Sequence, residues 1–357
     1  MISEATLASA LARGVISSEQ LDRLRAMEAA RADAAVLEPP DEEKLRFLTG
    51  FGDVFVTIGI LLFFSAFLML DLAGGLSMPL WGLGQWTLIA AMAWGLAEYF
   101  TRRRRMALPS IVLMLVFCCA VVKAVLWAAL VMGFPVESFR AVVPRGPAAL
   151  LAGAAAAVAA AVHDRRFHVP ATAAAGAAAL IYLVVAAAMT LAPGAADVFL
   201  TWLLLAAGLV VFALAMAVDA RDPLRVTRNT DVAFWLHLLA APLIVHTVVG
   251  GLWQGTGSDT STSLAMLAVF LALAVVAVLV NRRAILVAGL AYAGIAFGSL
   301  VTSSGAGEGL SIRLTLLVLG GFILVLSAGW QRLRGLVLGV LPAGLARFLP
   351  PLTVSAI

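Results

Sequence analysis

Charge is scarce in this chain. Asp, Glu, Lys and Arg make up 12% of the residues and hydrophobic residues 63%, where a soluble globular domain carries about 25% charged and roughly 45–50% apolar residues. That shortage excludes an ordinary soluble domain. Cysteine is almost missing. The two present, Cys118 and Cys119, are adjacent inside one apolar run, and neighbours seldom pair, so neither a disulfide nor a thiolate metal site is expected. Carboxylates are missing from the interiors of the long apolar runs. Beyond the first fifty residues the acids are Asp53, Asp71, Glu98, Glu137, Asp164, Asp197, Asp219, Asp222, Asp231, Asp259 and Glu308, each at the end of a run or between runs. A proton- or cation-coupled pump needs a carboxylate near the midplane, so any solute moved is anionic, neutral or lipid-like rather than a metal cation. Enzyme motifs are missing as well: no HExxH, no G-x-S-x-G, no P-loop and no dinucleotide glycine fingerprint. No catalytic residue, cofactor or metal is therefore expected. The net charge of +4 sits in short basic blocks between apolar runs, which does not point to nucleic acid.

What is present is a series of ten apolar runs, roughly 53–71, 81–100, 108–132, 146–162, 169–191, 197–218, 231–250, 263–280, 284–303 and 310–329. About 20 apolar residues cross a bilayer as a helix. No alternating barrel pattern appears, and backbone groups must pair inside hydrocarbon, so the runs read as helices. The expected fold is all-α: a polytopic membrane bundle of about ten transmembrane helices over residues 51–330. Arginines fall on alternate connections: Arg102–Arg105, Arg165–Arg166, Arg221/Arg225/Arg228, Arg282–Arg283 and Arg332/Arg334/Arg347. The opposite connections hold only Arg140 and Arg145. The positive-inside rule then places both termini in the cytoplasm of a cell whose inner (plasma) membrane holds the bundle. Trp81, Trp202 and Trp253 are expected at the outer interface, Trp235 and Trp330 at the inner one. The spacing RR-x3-P at Arg104–Pro109 and Arg165–Pro170 hints at a repeated hairpin; positive-inside turns that merely look alike give the same pattern.

Small residues promise close packing. The run from Ala148 to Ala161 is nearly all Ala and Gly, and Gly294-x3-Gly298 marks another small face. The flanks read differently. Residues 1–50 are polar, without a cleavable signal peptide. They form a small helical module: Ser3 caps a first helix ended by Gly14, and Ser17 with Gln20 has capping-box spacing for a second. Leu7, Leu11, Leu21 and Leu24 recur at helical spacing. So small a piece leans on a cytoplasmic partner, a second copy or the membrane domain. The tail, 331–357, is broken by Pro342 and Pro350–Pro351 and is expected to lie along the inner surface among lipid headgroups.

Polar side chains concentrate in one run, Asp231–Gly250. It holds His237 and His246, two of four histidines, and Pro242, the one proline in the middle of an apolar run. Pro242 removes a backbone donor and crowds the Leu238 carbonyl, which predicts a kink. Histidine titrates near pH 6.5 and suits pH sensing or proton passage. Nine residues separate the pair, about half a turn around the axis, so a two-histidine metal site on this helix is rejected. Trp235 and Lys123 complete the candidate polar membrane site. Lys123, well inside its run, needs a partner or water, and Asp71 is the nearest acid in prospect. The competing reading makes the histidines interfacial and lets Lys123 snorkel.

The segments LARGVISSEQLDRL, FLTGFGDVFVTIGILL, AFWLHLLAAPLIVH and RGLVLGVLPAGLARFLPP resemble a bacterial family of predicted membrane proteins in the domain-of-unknown-function class. The resemblance implies a multi-pass inner-membrane protein with a cytoplasmic N-terminal module, and carries no activity or catalytic residue. Two functions then compete: a permease lined by the 231–250 helix and Lys123, and a non-catalytic sensor or scaffold acting through residues 1–50.

Overall fold

A computed structural model of the chain describes Ser9 and residues 11–37, 50–70, 77–134, 145–222, 227–256, 260–305 and 307–340. Every described element is a helix. Residues 1–44 with 351–357 form one unit and residues 45–350 another.

In the first unit, α1 spans Ser18–Leu37. The expected capping box is in place: the Ser17 N–H donates to Gln20 Oε1 at 2.8 Å, and the Gln20 N–H donates to Ser17 Oγ at 3.2 Å. Gly14, at φ +67°, ends the preceding turn, a conformation glycine adopts without a Cβ penalty. Leu21 is buried, while Leu11 and Leu24 are more than a third exposed. Ser3 and Leu7 lie outside the described residues.

The second unit carries ten long helices: α2 Phe51–Met69, α3 Met78–Ala97, α4 Ala107–Val131, α5 Pro147–Phe167, α6 Ala171–Leu191, α7 Pro193–Asp219, α8 Arg228–Thr256, α9 Thr260–Val280, α10 Ala284–Ser303 and α11 Glu308–Val340. Proline opens α5 and α7 and stands in the first turn of α3, where its missing N–H is not needed. Nine of the ten are long and apolar enough to cross a membrane among the described residues. The remaining one, α3, is diluted by Gln85 and three tryptophans. A π-helical turn, Glu98–Arg103, continues α3 beyond Ala97; such turns recur at functional sites.

Two helices outrun their sequence limits. The α8 helix is uninterrupted across Pro242 for 29 residues. The Pro242 ring faces outward from the bundle, so packing on the inner face holds the helix through the lost bond. The last helix runs past Trp330 to Val340 rather than breaking there. No proline stands between them, and Arg332 and Arg334 are good helix formers.

Packing follows the chain. α4 lies against α2, α3 and α5, α6 against α5, α7 and α8, α8 against α7, α9 and α10, and α11 against α9 and α10. Alanines line the seams: Ala93, Ala120, Ala152, Ala186, Ala215, Ala233, Ala240 and Ala277 are all fully buried. Small faces let backbones approach where lipid offers no hydrophobic drive. A Cβ built at Gly153 would lie 3.1 Å from the Leu183 Cα on α6. On α10, Gly298 meets α11 so closely that Ser311 Oγ donates to its carbonyl at 2.8 Å. The α8 helix is the most enclosed, with 44% of its apolar window buried, against 6% for α11.

Candidate functional site

The residues singled out in the 231–250 run do not meet. His237 is fully buried, its Nδ1 2.8 Å from the Ala233 carbonyl one turn back on α8 and its ring edge-on to Phe212 of α7. Pro242 and His246 are exposed. His246 hydrogen-bonds through Nδ1 with the Tyr292 hydroxyl of α10. Trp235 is half-buried and packs against two buried clusters, one holding Ile111 and Met114 of α4 and the other Val211 and Ala215 of α7. Lys123 is half-buried on α4, one turn after Cys119; Asp71 lies outside the described residues. The half-turn between the histidines, legible from their spacing, thus sends them into different surroundings.

What the structure does bring together are the arginine-bearing connections. Each of the acids Glu98, Asp164 and Asp219 meets an arginine from outside its own helix. Arg166 at the end of α5 forks onto Glu98 at 2.6 and 3.0 Å. That hydrogen bond, helped by Arg102 and opposed by burial, holds the Glu98 carboxyl below the usual carboxylate range. Arg228 at the start of α8 donates to Asp164 at 2.6 Å and to the His168 carbonyl at 3.1 Å. The Ala107 N–H of α4 donates to Asp53 of α2 at 3.3 Å. These contacts gather α2 to α5 and α8 at one arginine-rich end of the bundle.

The third pair is enclosed. Arg282, in the turn between α9 and α10, forks onto Asp219 at the end of α7. Its Nε lies 3.0 Å from Oδ2, and a terminal nitrogen bonds Oδ1. The two side chains are 1% and 6% exposed. The same guanidinium reaches the Thr230 carbonyl at 3.4 Å. Asp222 is buried beside it and accepts from the Thr227 N–H, the Thr227 hydroxyl and the Thr230 hydroxyl at 2.7–2.8 Å, tying down the entry to α8. Asn281 adopts φ +56°, which aims its amide oxygen at the Trp330 indole N–H, 2.7 Å away. Arg283 stacks over that indole at 5.1 Å. Trp330 is therefore buried within the bundle, not turned to headgroups as an interfacial anchor. Arg334, one turn on, is also buried. In this way one cluster clamps α7, α8, α9, α10 and α11 together.

A second buried group went unnoticed in the sequence. His163 of α5 is fully buried among Phe167, Phe117 and Trp94, with ring centroids 4.6, 5.8 and 6.3 Å away. Its Nδ1 lies 3.5 Å from the Thr172 hydroxyl of α6, and Nε2 has no hydrogen-bond partner among the described residues. The signal was its place in His163-Asp164-Arg165-Arg166: four residues at a helix end fan out, so one must face inward while its neighbours reach water.

Among the described residues no group of three His, Cys, Asp or Glu side chains is placed to hold a metal ion. Cys118 and Cys119 are free thiols. No family model, no curated protein and no solved structure matches the chain. The structure defines an α-helical multi-pass membrane protein whose polar side chains join helix to helix.

Proposed function

We propose that the protein is a non-catalytic membrane sensor or scaffold. It crosses the inner (plasma) membrane ten times, with both termini in the cytoplasm at the arginine-rich end. Residues 1–50 there engage a cytoplasmic protein or a second copy, in keeping with the resemblance to a bacterial membrane-protein family. One observation carries the reading. Polar side chains in the bundle act as ties between helices: Asp219–Arg282, Asn281–Trp330, Glu98–Arg166, Asp164–Arg228 and His246–Tyr292. The polar residues of the 231–250 run point to separate surroundings instead of one passage. Exposed Val15 and Met27 in the N-terminal module supply apolar contact surface for a partner.

The test is a photo-crosslinking residue placed at Val15 or Met27 in the full chain in cells. A discrete crosslinked species is expected from both positions, and loss of the deletion-complementing activity on removing residues 1–45. Full complementation by the truncated chain overturns the reading.

A permease for an anionic, neutral or lipid-like solute is the second reading. It is favoured by the burial of the Asp219–Arg282 pair where α7 ends and α9 turns into α10, at the end of the bundle where an inner gate stands in a transporter. Proteoliposomes decide between the two. Release of entrapped chloride, phosphate or glycerol above protein-free vesicles, raised further by Asp219→Asn, supports the gate; permeability equal to protein-free vesicles supports the scaffold.

A further inference from the structure

The outward faces of α2 and α3 are not smooth. Between them runs an apolar groove of about 550 Å³, walled by Phe55, Phe63, Met92 and Phe100 and floored by Gly59 and Gly95. At both glycines an added Cβ would meet nothing within 4 Å, so the floor is low because side chains are missing there. From Phe55 to Phe63 is roughly 12 Å along the helix axis, the length of the upper part of an acyl chain.

The groove adjoins a second, polar cavity, and Gly95 lines both. The second is a space of about 510 Å³ formed with Glu98, Tyr99, Arg102 and Arg103 on the π-helical turn. The charge there is lopsided. Glu98 is engaged by Arg166 and, at 3.4 Å, by Arg102. Arg104 is folded over Tyr99 and bonds its hydroxyl at 3.1 and 3.2 Å. Arg103 is exposed and has no ion-pair partner among the described residues. Arginines thus outnumber the one carboxylate, and that carboxylate is already forked by Arg166. The apolar trough therefore ends at the arginine-rich end of the bundle in a mouth of net positive charge.

We propose that this groove and its mouth form a binding site for one anionic phospholipid. One acyl chain lies over Gly59 and Gly95, and the phosphate rests on Arg102 and Arg103. Guanidinium forks match phosphate oxygens, and the π turn widens the helix so that consecutive arginines face the same headgroup. The site requires only that the bundle be embedded in a bilayer, so it stands whether the protein is a scaffold or a permease.

The test uses the full-length protein in detergent, relipidated with equal amounts of phosphatidylglycerol and phosphatidylcholine, with retained lipid read by native mass spectrometry. Phosphatidylglycerol is expected to be retained about tenfold over phosphatidylcholine. The double variant Arg102→Gln/Arg103→Gln is expected to lose that preference. Gly95→Leu, which fills the floor, is expected to lower retention of both lipids. Glycerophosphoglycerol, the headgroup without chains, should not displace bound lipid; displacement would make the site one for a free anion and overturn the proposal. Equal retention of the two lipids by the unmodified protein overturns it too, with no variant needed. So does an unchanged preference in a double variant whose unfolding midpoint matches that of the unmodified chain.

Discussion

Two ion pairs at the same end of the bundle have nearly the same chemistry and opposite surroundings. Arg166–Glu98 and Arg282–Asp219 are both forked contacts between an arginine and an acid far apart in sequence. The first leaves its side chains 40% and 31% exposed, and the second 1% and 6%. An exposed pair trades one set of water contacts for another and adds little. A buried pair is held because separating it strands a charge away from water. The contrast teaches that arginines which look alike as topology markers do different work, and burial decides which.

The sharpest way to test the contrast is to neutralise one partner of the enclosed pair. Asp219→Asn removes the carboxylate that the Arg282 guanidinium forks onto and is expected to cost about 3–5 kcal/mol, read as a lower midpoint in thermal or detergent unfolding. Removing both charges together, as Asp219→Leu with Arg282→Met, should restore most of that loss, since apolar replacement of a buried pair is often neutral. A double variant as unstable as the single one would show that the pair is not the clamp. Next comes the helix crossing beside it. Gly208→Ala on α7 puts a Cβ 2.9 Å from Ile244 Cγ1 and 3.3 Å from the Ile244 backbone nitrogen on α8, and overpacking of this kind costs about 1–3 kcal/mol; the same unfolding assay reads it. Trp330→Phe keeps one aromatic ring but deletes the hydrogen bond to Asn281 and part of the buried indole volume, at about 1–2 kcal/mol. Cysteine-accessibility labelling at Val337 should rise in step if the end of α11 loosens. Arg166→Gln should leave the midpoint where it is. A drop as large as that of Asp219→Asn would erase the distinction between the two pairs.

The bundle was legible before any coordinates. Each of the ten apolar runs falls on a helix, and nine of those helices among the described residues are long and apolar enough to cross a bilayer, where a backbone pairs its groups within its own helix. Capping chemistry was legible too, as Ser17 and Gln20 show, since it acts over three residues. The ends of α8 and α11 were not. α8 stays helical through Pro242 and on to Thr256, held by packing on its inner face, and α11 runs past Trp330 because no proline stands there and Arg332 and Arg334 favour helix. The candidate site was least legible. His237 and His246 drew notice as histidines in an apolar run, yet His163, in a run of alanines, is the one enclosed by aromatic rings. Phe167 stands one turn on along α5, but Trp94, Phe117 and Thr172 come from α3, α4 and α6, and no spacing on α5 contains those. The acids at run ends were all visible, but Glu98 finds Arg166 sixty-eight residues away.

Composition and periodicity alone determined that this is a helical membrane protein with its arginines on alternate turns, because those properties follow from each residue's own transfer free energy and from helix length. Tertiary structure alone decided which arginine is sealed in and which stays wet, which histidine is enclosed, and where glycines leave a groove. Those outcomes depend on the neighbours that other helices bring, and a side chain's surroundings, unlike its hydrophobicity, are not a property of the residue.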